Sequence, residues 1–181
     1  MKNTLGFIWE IGKIVIIAFV LVIVLRTFVF QPFLVRGASM EQNFHGWDYL
    51  LVDEISYRFR APQRGEVIVF QYPNDPSQRY IKRIIGLPGE TVEINDGKVA
   101  IFKDDNGFVL DESGYLSSGI QTNGSVKITL QEHEYFVLGD NRRHSSDSRI
   151  WGALEEKLIV GRVLMRVFPL SAFAKVETPA Y

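Results

Sequence analysis

The chain has 181 residues and a net charge of −1, so no global basic field points to nucleic acid as a partner. It contains no cysteine, which excludes disulfides and thiolate metal or redox centres. His45, His133 and His144 are not spaced as metal ligands, no HExxH or glycine-rich phosphate loop is present, and neither a metal nor a cofactor is expected.

The first element is apolar. Ile14 to Leu25 is an unbroken hydrophobic run, and the wider span Leu5–Leu25 holds only Glu10 and Lys13 as charges. At 1.5 Å per residue that span is about the ~30 Å of a hydrocarbon core. Glu10 and Lys13 are three apart on a helix and can pair, Arg26 can snorkel to the far interface, and Phe28-Val29-Phe30 carries the apolar surface onward as an exit segment. A core helix would want a polar face, which this run lacks. A cleaved signal peptide would want a small-x-small site close behind Leu25, where the chain reads Arg-Thr-Phe-Val-Phe-Gln-Pro-Phe. A retained transmembrane anchor is the expectation. Lys2 and Lys13 before the span and Arg26 and Arg36 after it leave its orientation open.

The remainder of the chain is about one domain's length and reads as mainly β. Runs at Tyr49–Asp53, Glu66–Tyr72, Arg79–Ile85 and Glu90–Ile94 are β-branched and aromatic, several of them alternating. Leu87-Pro88-Gly89 suits a type II turn, Asp96-Gly97 is a hairpin signal, and Asn106-Gly107 and Asn123-Gly124 mark further turns. Residues 103–125 are the most polar stretch and are expected as a peripheral excursion. Later strands are predicted at Ser125–Leu130, Glu134–Leu138 and Ile159–Val167, with one helical turn at Leu154–Leu158.

Three short segments differ in texture from these elements. Gly37-Ala38-Ser39-Met40 comes after the anchor. Tyr80-Ile81-Lys82-Arg83 places a lysine behind aromatic and apolar neighbours. A serine hydroxyl is a poor nucleophile until a base takes its proton, and a desolvated neutral lysine can be that base. The third segment, Gly139-Asp140-Asn141-Arg142-Arg143-His144-Ser145-Ser146-Asp147-Ser148-Arg149, is dense in polar groups after an apolar strand. Asp147 and Arg149 are two apart and in extended backbone would point the same way and pair. On composition alone, a solvated loop is an equal reading of this segment, and His144 reads as an exposed loop histidine.

The order and spacing of Ser39-Met40, Arg64–Phe70, Tyr80–Glu90 and Gly139–Arg149 resemble the sequence boxes of type I signal peptidases, over about Gln31 to Phe168. The resemblance implies a single transmembrane helix followed by a coiled, largely antiparallel β-sheet Ser/Lys endopeptidase domain. The division would be an anchor in residues 1–30 and an extracytoplasmic domain in 31–181. The enzyme would sit in the cytoplasmic membrane, work beside the protein-export machinery and remove signal peptides from exported preproteins. By matching position, Ser39 is the nucleophile and Lys82 the general base. Ser145 would hydrogen-bond and orient the lysine. Asp147 and Arg149 would form a supporting ion pair, with Asp140, Asn141 and Arg83 structural. Phe33, Val35, Tyr80 and Ile81 would line pockets for small residues at the cleavage site.

Two departures from the family pattern stand out. Many members continue Ser-Met-x-Pro-Thr-Leu, whereas this chain reads Ser39-Met40-Glu41-Gln42-Asn43-Phe44, and the missing proline is expected to loosen the turn after the nucleophile. Gly37 stands where some relatives supply an oxyanion-hole hydroxyl, leaving the Ser39 N–H as the available donor. Self-cleaving repressor peptidases share Ser/Lys chemistry but carry a DNA-binding domain where this chain has its apolar run. A catalytically degenerate peptide-binding module of the same fold is the alternative reading.

Overall fold

The computed structural model describes residues 2–28, 30–104 and 106–179, and the side chains of all of these except 2–5, 21, 23–28 and 30. Helix α1 runs Lys2–Phe28. Phe7, Trp9, Ile14 and Phe19 on it are all more than half exposed, so it is not a core helix. Lys13 pairs with Glu10 at 2.7 Å, as the three-residue spacing predicts. Among the described residues no helix is long and apolar enough to cross a membrane. The expected snorkelling of the Arg26 side chain and the exit at Val29 lie outside the described parts.

The rest is antiparallel β. Strands β1 (Phe30–Leu34), β2 (Tyr49–Asp53), β3 (Val67–Tyr72) and β4 (Asp75–Gly86) precede a hairpin of β5 (Thr91–Asn95) and β6 (Lys98–Lys103). Then come β7 (Asn106–Val109), β8 (Val126–Thr129) and β9 (Glu134–Leu138), a one-turn helix α2 (Ser148–Trp151), β10 (Leu154–Glu155), β11 (Ile159–Phe168) and β12 (Ala174–Lys175). They form an eight-stranded sheet in the order β1-β2-β11-β3-β4-β9-β10, with β12 on β11, and a four-stranded sheet in the order β7-β6-β5-β8.

Local chemistry accounts for much of this. Asp96 and Gly97 both adopt positive φ, 49° and 77°, the twist a two-residue hairpin turn demands, and β5 and β6 pair in register across it. Val92, Ile94, Val99 and Ile101 point from that hairpin into one core cluster with Ile85, Leu130 and Phe136. A second cluster joins Val35, Met40, Phe44, Leu50 and Val69, so the turn that carries Ser39 is rooted in core on both sides of it.

Four expectations need correction. From Phe30, the last residue of the expected exit segment, the chain forms the unexpected strand β1, an edge strand that among the described residues pairs with β2; Pro32 removes a donor, which an edge strand tolerates. Asn106-Gly107 opens β7 rather than making a turn. Leu154–Leu158 is the short strand β10 followed by a 3-10 turn at Glu156–Leu158. Asp147 and Arg149 do pair, but not across an extended strand: Asp147 caps α2, accepting from the Arg149 backbone N–H. The polar stretch 103–125 supplies β7 and then returns to the turn after Ser39, where Glu112 and Tyr115 meet Arg142 of the third polar segment.

Candidate active site

Ser39 sits on the turn five residues beyond β1, and Lys82 lies within β4. The Lys82 Nζ is 2.7 Å from the Ser39 Oγ and donates to the Ile81 carbonyl at 2.9 Å. Lys82 is only 3% exposed, although a lysine on a soluble strand ordinarily faces water. Burial pushes its pKa down to about 8, against the opposing pull of the Asp147 and Asp140 carboxylates. The Tyr80 ring, two residues earlier on the strand, has its centre 5.2 Å from the Nζ.

Ser39 is held from the far side by the loop after β9. The Asn141 N–H donates to the Ser39 carbonyl at 3.0 Å, and the Asn141 side-chain amide donates to the Ala38 carbonyl at 3.0 Å. This approach requires glycine at 139: a Cβ there would collide with the Ser145 Oγ and lie 2.5 Å from the Ser39 carbonyl oxygen. Among the described residues the Ser39 N–H has no hydrogen-bond partner, which leaves it free to face a developing oxyanion.

Two buried ion pairs brace that loop. Arg83 forks onto Asp140 through Nε at 2.9 Å and Nη2 at 2.7 Å, gives Nη1 to the Gly65 carbonyl at 2.8 Å, and lies over the Tyr115 ring at 4.2 Å. Arg149 forks onto Asp147 with both bonds at 2.8 Å, while Asp147 also accepts the Gly139 N–H at 3.1 Å. Bidentate geometry of this kind fixes orientation as well as adding energy.

A cleft of about 570 Å³ opens at the dyad, and Phe33, Val35, Tyr80 and Ile81 all line it together with Ser39 and Lys82. His144 also lines it, yet its side chain is exposed and bonds nothing. Among the described residues no group of His, Asp and Glu side chains could hold a metal ion.

Ser145 departs from expectation. Its Oγ is buried without a hydrogen-bond partner, and the two donors that Lys82 uses go elsewhere. The hydroxyl abuts Gly139 instead of the lysine.

Sequence reasoning also missed a third ion pair. Arg142, buried, forks onto Glu112 at 2.5 and 2.9 Å, donates to the Thr122 hydroxyl and gives Nε to the Gly139 carbonyl at 3.1 Å. An arginine beside Asp140-Asn141 was visible, but its partner thirty residues upstream carried no local signal.

A family model for signal peptidase, peptidase S26, matches residues 8–168. The chain belongs to this family. Its members are membrane-associated serine endopeptidases that remove signal peptides. The chain is 38% identical over 167 residues to a probable signal peptidase I-2 of Synechocystis sp., covering 89% of this chain and 73% of the relative. It is 34% identical over 186 residues to a signal peptidase I of Bacillus licheniformis, covering 97% and 95% respectively. A solved signal peptidase I structure from Enterococcus faecalis V583 is 36% identical, covers 57% of this chain and 97% of its own, and has a TM-score of 0.47.

Proposed function

We propose that in this signal peptidase family member Ser39 is the nucleophile and Lys82 the general base. The observation that carries the assignment is the 2.7 Å contact between the Ser39 Oγ and a buried lysine whose pKa is lowered to about 8. Once neutral, the amine accepts the hydroxyl proton as Oγ attacks the scissile carbonyl. The Ser39 N–H faces the oxyanion, and Lys82 returns its proton to the leaving amine. Water then enters and attacks the acyl-enzyme ester as Lys82 takes its proton, and Lys82 hands that proton to the departing Ser39 Oγ, which frees the acid product and restores the neutral amine and the hydroxyl. No carboxylate relay is needed, because desolvation supplies the base.

Phe33, Val35, Tyr80 and Ile81 are the proposed walls of the pockets that admit only small substrate residues at positions −1 and −3. Ser145 retains its proposed role as the lysine's second hydroxyl partner; what supports it is a buried hydroxyl with an unmet bond on the loop that grips Ser39. Asp140, Asn141, Arg83, Asp147 and Arg149 are the frame.

The proposed division is an anchor in residues 1–30 and a peptidase domain in 31–181 on the extracytoplasmic side of the cytoplasmic membrane, working beside the export machinery. What supports the anchor is the 27-residue length of α1 and its exposed apolar side chains. The stretch 6–20, whose side chains are all described, is by itself shorter than the ~20 residues of a span.

The test is cleavage of a preprotein by the full-length protein in vesicles, with Ala, Leu or Phe at substrate position −1. The expected result is cleavage after Ala alone, abolished in Ser39→Ala, Lys82→Ala and Lys82→Arg, since guanidinium does not deprotonate at usable pH. Parental activity in Lys82→Ala overturns the dyad. Equal cleavage after all three residues overturns the pocket assignment. Recognition without cleavage would favour a degenerate binding module, which the intact dyad geometry and the family do not favour.

A further inference from the structure

We infer that Asn43 is a positioning residue for the nucleophile, closing a hydrogen-bonded ring that holds Ser39 in register with Lys82. The inference rests on the reading of Ser39 as nucleophile.

The turn after Ser39 is not loose, despite having no proline. Its backbone closes through Glu41 N–H to the Ala38 carbonyl at 3.1 Å and Phe44 N–H to the Met40 carbonyl at 2.9 Å. Gln42 stands at φ 101°, a value proline cannot adopt and one that other side chains rarely accept without support from outside. That support comes from residues 112–117. The Gln42 Oε1 accepts the Ser117 N–H at 3.2 Å. The Asn43 side-chain amide donates to the Tyr115 carbonyl at 2.9 Å and to the Asp140 Oδ2 at 2.7 Å. An amide nitrogen has two hydrogens, and both are used. The Asn43 carbonyl in turn accepts from Arg166 at 3.1 Å.

These bonds form a closed circuit. From Ser39 the chain runs through the turn to Asn43, crosses to the Asp140 carboxylate, and continues one residue to Asn141. Asn141 returns to Ser39 and Ala38 through its backbone and side-chain donors. Asp140 is itself locked to Arg83, the residue after the base. Nucleophile and base are therefore referenced to one carboxylate, and the Asn43 amide is the link between that carboxylate and the nucleophile turn. Opening the circuit frees Ser39 to rotate away from a productive 2.7 Å contact without removing any group that touches substrate.

The experiment measures kcat, KM and thermal unfolding for the full-length protein and for Ser39→Ala, Asn43→Ala and Asn43→Asp. Asn43→Ala is expected to lower kcat at least tenfold with KM within twofold of the parent. Asn43→Asp, which faces one carboxylate with another, is expected to lose more. An active parent, an inactive Ser39→Ala, and a folded Asn43→Ala protein at parental kcat would overturn the inference alone. So would a loss confined to KM. A Ser39→Ala protein that still cleaves would overturn the nucleophile assignment and this inference with it.

Discussion

The Tyr80 ring lies 5.2 Å from the Lys82 ammonium, on the same face of β4 and two residues away. The ring's electron-rich face favours the charged lysine while burial opposes it. Tyr80 is therefore a wall of the cleft that also touches the Lys82 side chain.

Replacing Tyr80 with Leu should shift the acidic limb of kcat/KM to lower pH by roughly half a unit to one unit, the size of a partly desolvated cation–π contact. Tyr80→Phe, which keeps the ring, should leave the limb in place. A pH–rate profile of the three proteins decides this, and identical limbs for parent and Leu variant would remove Tyr80 from the electrostatics.

In the parent the limb itself should fall near pH 8, where Lys82 loses its proton, with kcat/KM dropping about tenfold per unit below it. The sign also bears on stability. The folded-state pKa lies below the ~10.4 of a free lysine, so between about 8 and 10.4 the unfolded chain binds more protons and stability rises with pH. Below that window the full penalty of a buried ammonium remains. Lys82→Met should thus be inactive yet more stable than the parent at pH 7, by up to about 3 kcal/mol, with the difference vanishing above pH ~10.4. Denaturant unfolding at pH 7 and pH 10.5 checks it.

Gly139→Ala should abolish turnover while leaving the sheet folded. The added methyl would need the space held by the Ser145 Oγ and the Ser39 carbonyl, so the nucleophile must move. A displacement of about 1 Å at a reacting group costs on the order of 100-fold. Circular dichroism with a cleavage assay separates this from unfolding; parental kcat would show that the loop after β9 does not set the position of Ser39.

Asp140→Ala should destabilise the protein by about 3–5 kcal/mol, because Arg83 is left buried with no counter-charge. The midpoint of urea unfolding measures the loss. A shift below ~1 kcal/mol would mean that Tyr115 and the Gly65 carbonyl suffice to hold the guanidinium.

How much of this was legible in the chain depends on how local each determinant is. Asp96-Gly97 announced its hairpin because the turn's φ requirements are met by those two residues alone. Ser39 and Lys82 could be singled out because each sits in a short segment of distinctive texture, and the fold brings them to 2.7 Å. The brace around Asn43 was not, since its partners Tyr115 and Asp140 lie 72 and 97 residues away. The positive φ of Gln42 is likewise imposed by a contact 75 residues distant, so the sequence suggested a loose turn where the fold makes a tied one. Ser145 was read by position; the close approach of its hydroxyl to Gly139 belongs to backbone packing.

The placement of β1 at one end of the eight-stranded sheet and β4 in its interior gives the two reacting groups unequal tenure. Lys82 rides on a strand laddered on both sides, and its amides exchange with solvent only when the sheet itself opens. Ser39 follows a border strand with one neighbour, so its place beside Lys82 rests on the loop after β9 and on the Asn43 brace rather than on a ladder of its own.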